Sequence, residues 1–110
     1  MQDLLIARDL TVKKLNECIV FYKNCGRNFG EARREYTAAW RLEVFKLHEI
    51  NKVAWSACAE LAKGNEEVAK LRLTKDIRKS DYDVTYEKIL ALKTEIRLIE
   101  GDMAAIRQGV

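Results

Sequence analysis

Four side chains in this 110-residue sequence are of the types that bind metals or activate nucleophiles: Cys18, Cys25, Cys58 and His48. On a helix, Cys18 and Cys25 stand about 10 Å apart along the axis. Two thiolates each about 2.3 Å from one zinc ion cannot be so far apart. Three is an odd number and no Cys-x-x-Cys occurs, so neither a disulfide framework nor a zinc cage is expected. His48 falls in mid-helix beside Leu47, with Val44 and Lys52 four residues to either side and no acidic partner at that spacing. Asp81 and Asp83, the nearest thing to a carboxylate pair, are two residues apart and point to different sides of a helix. No nucleophile elbow, phosphate loop, dinucleotide fingerprint, His-Glu-x-x-His or calcium loop is present. The expectation is a chain that is not an enzyme, with no catalytic residues, no metal and no cofactor.

Charge offers one localised feature. The net charge is +3, from 20 basic and 17 acidic residues, well short of an obligatory nucleic-acid binder. Within "KLRLTKDIRK", however, Lys70, Arg72, Lys75, Arg78 and Lys79 stand against a lone Asp76. Residues 72, 75 and 79 share a helix face, where their charges could converge on a phosphate backbone or an acidic partner. The alternative is a solvated face whose stems cover apolar surface while the heads pair with carboxylates.

The elements that must position these groups read as helices. There is no proline, and no run alternates in the manner of a strand. Hydrophobic residues make up 48% and charged residues 34%, too apolar for disorder and too charged for a membrane span. The first residues lack a basic start and a cleavage site, so no secretory signal is expected and a cytoplasmic location is. A first, shorter helix is predicted over about residues 3–24, with Leu5, Val12, Leu15, Ile19 and Tyr22 on one stripe. Gly26 and Gly30 of "GRNFG" then divide it from a second helix over 31–63, which carries Tyr36, Trp40, Val44, Leu47, Ile50, Ala54, Cys58 and Leu61. Gly64 is expected to close that helix in the left-handed conformation, Asn65 to cap the next, and Glu66 and Glu67 to suit its dipole.

A third helix is predicted over 66–108. Steps of three and four from Val68 reach Leu71, Lys75, Arg78, Tyr82, Thr85, Ile89, Leu92, Ile96, Ile99, Met103 and Ile106, the 3.5-residue repeat of a coiled-coil seam. The weak point is Lys75–Ser80, where Ser80 or Asp81 could cap a fourth helix instead. The fold class expected is all-α: an elongated antiparallel helical hairpin or coiled coil of two long helices with a shorter N-terminal one, in a single domain over 1–110.

The third helix has a second apolar stripe. Ile77, Val84, Ala91, Leu98 and Ala105 recur every seven residues, about 200° around the axis from the seam. The first helix, half as long, cannot cover all of it. Long apolar faces rarely stay exposed on soluble monomers, so Ile77, Val84, Leu98 and Ala105 are expected at a protein interface, with a homo-oligomer, a dimer, as the favoured assembly.

The stretch "KGNEEVAKLRLTKDI…YEKILALKTEIRLIE" resembles a family of small helical proteins encoded by phages and prophages of Gram-positive bacteria. The likeness covers roughly residues 31–108 and is strongest over 64–73 and 91–100. This chain departs from it at "RKSDYDVTYEK", where the family is smoother and richer in alanine and glutamate. The resemblance implies an early phage protein without established enzymatic activity, acting in the host cytoplasm, and supplies no catalytic residues. By that analogy the expected function is a non-enzymatic interaction protein that binds and modulates a host protein, extending to inhibition of host defence nucleases such as CRISPR effectors. The alternatives are a nucleic-acid-binding accessory of phage recombination or replication, using residues 70–79, and a structural virion component.

Overall fold

The computed structural model describes residues 1–109. It is all-α, with two long helices and one short: α1 (Gln2–Glu49), α2 (Trp55–Lys63) and α3 (Glu66–Arg107). The chain divides into two compact units, one formed by Met1–Asn24 with Tyr82–Val110 and the other by Cys25–Asp81.

The short helix is not N-terminal, and "GRNFG" does not divide two helices. Helix α1 runs through Gly26 and Gly30 without a break. The reason is a seven-residue repeat that continues across them: Leu4, Thr11, Cys18, Cys25, Ala32 and Ala39 form one row, and Leu15, Tyr22, Phe29, Tyr36 and Glu43 a second. Every one of these is buried or half-buried. Burial of a continuous stripe outweighs two glycines at about 1 kcal/mol each. The stripe read from Leu5 and Val12 lies to one side of the true seam, and both of those side chains are exposed.

The break falls instead at 50–54, inside the segment expected to be continuous. Lys52 adopts the left-handed conformation at φ 60, uncommon for a residue with a side chain. The turn is held from both sides. The Val53 N–H donates to the Leu47 carbonyl at 3.0 Å, while the Val53 carbonyl lies 2.9 Å from His48 Nδ1. The His48 ring stacks on Trp55 at 3.6 Å between centroids. Cys58, fully buried, directs its Sγ to the Ala54 carbonyl at 3.2 Å. Trp40 Nε1 donates to the Ala59 carbonyl at 3.2 Å and ties α2 to α1. Of the face expected on the second helix, Ile50, Ala54 and Leu61 are therefore exposed, with Ile50 at 71%.

The turn into α3 follows the expectation at Asn65, whose Oδ1 accepts from the Val68 N–H at 3.1 Å. It departs from it at Gly64. That residue has φ −81 and ψ −10, right-handed rather than left-handed, and its N–H donates to the Leu61 carbonyl at 3.1 Å in a tightened last turn.

Helix α3 is continuous through residues 75–81. All twelve positions of its expected seam except Arg78 and Ile106 are buried or half-buried. In each unit α1 and α3 run antiparallel. Residues 18 and 22 meet 85 and 82 in the first; in the second Lys75 meets Tyr36, and Glu43 and Glu67 line one surface depression.

The continuity of α1 has a measurable consequence. A Cβ at Gly30 would meet nothing within 4 Å, so Gly30→Ala should raise stability by about 0.5–1 kcal/mol in denaturant unfolding, as in an ordinary helix interior. Were residues 26–30 a turn, the same change would be neutral or destabilising.

Candidate interaction surfaces

The unit built from residues 1–24 and 82–109 rests on one seam. Tyr22 stacks on Tyr82 with centroids 4.5 Å apart and tilts against Tyr86 at 6.0 Å. One turn on, Cys18 Sγ lies 3.9 Å from the Thr85 carbonyl. Ile89 and Met103 are buried on α3, and Thr11 on α1 satisfies its hydroxyl by donating to the Ala7 carbonyl at 2.8 Å.

The second stripe on α3 lies outside this seam. Ile77, Val84 and Leu98 are 50%, 55% and 66% exposed, and Ala91 and Ala105 are exposed as well. Helix α1 packs along the first seam and leaves the large side chains among them half or more uncovered. Beside the stripe runs an open groove of about 500 Å³, walled by Lys14, Glu17, Cys18 and Phe21 from α1 and by Lys88, Ala91 and Leu92 from α3. Phe21 is 58% exposed. Sequence reasoning missed it, because its position becomes visible only once the seam of α1 is placed one residue before Val12 and Ile19. What this surface offers chemically is apolar burial, framed by charges of both signs.

The basic ridge is not a convergent set of free cations. Lys75 turns inward, with its Nζ 4.8 Å above the centre of the Tyr36 ring and 3.4 Å from Asp76, a cation–π arrangement. Lys70 lies 3.5 Å from Glu66 and Arg78 3.9 Å from Asp81. Arg72 and Lys79 are exposed. A different set of cations that sequence reasoning passed over lies on α1, where Arg33, Arg34 and Arg41 surround a shallow surface formed by Gly30, Thr37 and Ala38.

Cys18 is half-buried and Cys25 and Cys58 are buried, all three as thiols outside any disulfide. Among the described residues no three His, Cys, Asp or Glu side chains are grouped to hold a metal ion, and no helix is long and apolar enough to cross a membrane. Compared with protein-family models, curated proteins and solved structures, the chain matches none.

Two outcomes are expected. The Tyr22 phenol is pushed up to about 12 from 10.0, first by its hydrogen bond with Tyr82, then by withdrawal from water and by Tyr82, Tyr86 and Asp83 nearby. A raised pKa favours the neutral phenol in the folded state. Its contribution is therefore complete below pH 10 and is lost as pH rises toward 12. Alkaline unfolding of wild type should be steeper through that window than unfolding of Tyr22→Phe. Second, replacing Arg72, Lys75 and Lys79 together by Ala should weaken a protein complex by less than about tenfold, through on-rate. Tight DNA or RNA binding that falls steeply with salt and disappears in the triple variant would contradict this.

Proposed function

We propose that this chain is a non-enzymatic helical interaction protein whose α3 presents an apolar face for burial against a second protein chain, and which in that form binds and modulates a host protein. The observation that supports the reading is the exposure of Ile77, Val84 and Leu98, which with Ala91 fall on one seven-residue row of a helix whose other stripe is already covered. Large aliphatic side chains repeated in this way are the signature of helix-to-helix association. The unit of residues 25–81 adds exposed Leu42, Phe45 and Trp55, side chains of the size that anchor interfaces. That the partner is a host protein met in the cytoplasm, and more narrowly a defence nuclease of the CRISPR-effector kind, is proposed on the resemblance to phage-encoded helical proteins alone.

A nucleic-acid-binding role is the weaker reading, because Lys75 is committed to Tyr36 and the charges of Lys70 and Arg78 lie beside carboxylates. Affinity capture from a host lysate, with and without nuclease treatment, separates the two. One stoichiometric protein retained after nuclease is expected. Recovery of nucleic acid alone would overturn the proposal.

A further inference from the structure

We propose that the outward side of α1, from Arg34 to Phe45, is a docking surface for an acidic, amphipathic helical segment of a protein partner. It lies on a different helix from the outer stripe of α3 and is independent of it.

Arg27, Arg34 and Arg41 each stand two residues after a seam member, Cys25, Ala32 and Ala39, and so about 200° around the axis from it. The three form one row facing away from the seam, with about 10.5 Å between neighbours. All are exposed, as is Arg33 beside them. Arg33, Arg34 and Arg41 surround a shallow surface whose floor is Gly30, Thr37 and Ala38.

No carboxylate answers these cations. None of the four arginines belongs to an ion pair among the described residues. Side chains on a helix meet at spacings of three and four, and at those spacings from the four arginines the only acid is Glu31. Glu31 instead lines another depression, with Glu35 on α1 and with Thr74 and Arg78 on α3. The acids of this stretch thus lie toward α3, and the arginines away from it. An exposed guanidinium fork pairs with an oxyanion through two parallel N–H···O bonds.

Carboxylate and phosphate fit that fork equally well, and the neighbours of the row decide between them. Phe45, four residues beyond Arg41, continues the same side of α1, and Leu42 flanks it, both 55% exposed. A phosphate backbone would engage the arginines and leave these two side chains uncovered. Arginine beside an aromatic ring is the composition of a protein-interface core. The spacing selects a helix. Residues seven apart on a helix repeat the interval of Arg34 and Arg41, whereas a strand presents same-face residues about 6.6 or 13 Å apart.

Fluorescence anisotropy with the purified full-length chain tests this, with helicity of each variant checked by circular dichroism. The probes are a designed helical peptide with glutamate every seven residues and leucine on the adjoining stripe, a scrambled peptide of the same composition, and single-stranded and duplex oligonucleotides. The helical peptide is expected to bind at least about tenfold more tightly than the scrambled one. Arg34→Glu/Arg41→Glu should weaken that binding by more than about tenfold with helicity unchanged, and should bind instead the peptide carrying lysine for glutamate. Phe45→Ala should weaken it by about fivefold without altering its dependence on salt. Equal binding of the two acidic peptides would overturn the proposal, as would a double reversal without effect. Oligonucleotides bound more tightly than the peptide, and released by the same double reversal, would assign the row to a phosphate backbone and overturn it as well. None of these failures touches the outer stripe of α3 or the proposed function that rests on it.

Discussion

Two helices packed side by side can bury only one stripe each, and the structure depends on that constraint. Along α1 one row of the stripe is small or polar, with Thr11, Cys25 and Ala32, the other carries Leu15, Tyr22, Phe29 and Tyr36, and opposite them α3 supplies Val68, Thr85, Ile89 and Met103. A seam of this kind is narrow. It leaves room for flat contacts such as the Tyr22–Tyr82 stack and the Lys75 ammonium over Tyr36. It does not leave room for the large aliphatic side chains on the outer side of α3. Among the described residues no buried side-chain polar atom lacks a hydrogen-bond partner, so the polar members of the seam are compatible with its burial.

The seam also explains which features were legible in the sequence. On α3 the three- and four-residue steps from Val68 to Met103 stand out because most members are large and apolar, and the basic interruption at Lys75 is absorbed by an aromatic ring. On α1 the corresponding row contains threonine, cysteine and alanine. A reading that follows large hydrophobics therefore drifts to Leu5 and Val12, and then treats Gly26 and Gly30 as punctuation. The turn at 50–54 was hidden for the opposite reason. It contains no glycine or proline, and its left-handed residue is a lysine. What stabilises it is tertiary: a histidine stacked on Trp55 and a buried cysteine, neither of which announces a turn locally. His48 and Cys58, the residues with the most chemical potential on paper, are thus both used to fold the connection between α1 and α2.

The outer stripe of α3 was legible as a stripe, because period seven along a helix is visible without knowing what packs against it. Its partner was not, since the same pattern serves an intramolecular core or an interface. The distinction depends on the reach of α1, and α1 follows only the first seam. That geometry is what supports the proposed protein-binding reading. The basic ridge illustrates the converse. Five cations within ten residues look like a binding site in one dimension, yet Lys75 is turned into the fold and two others lie beside carboxylates, at separations where exposed pairs contribute little either way.

The most direct test of this account is whether the outer stripe is covered in solution. With methyl-labelled protein in complex with the protein it captures, attenuation by a soluble paramagnetic agent can be compared residue by residue. Val20 and Leu73 serve as exposed references. The account predicts that the methyl signals of Val84 and Leu98 are protected relative to those references, although all four side chains are similarly accessible in the isolated chain. Equal attenuation at all four would show the stripe open to solvent and would contradict the account.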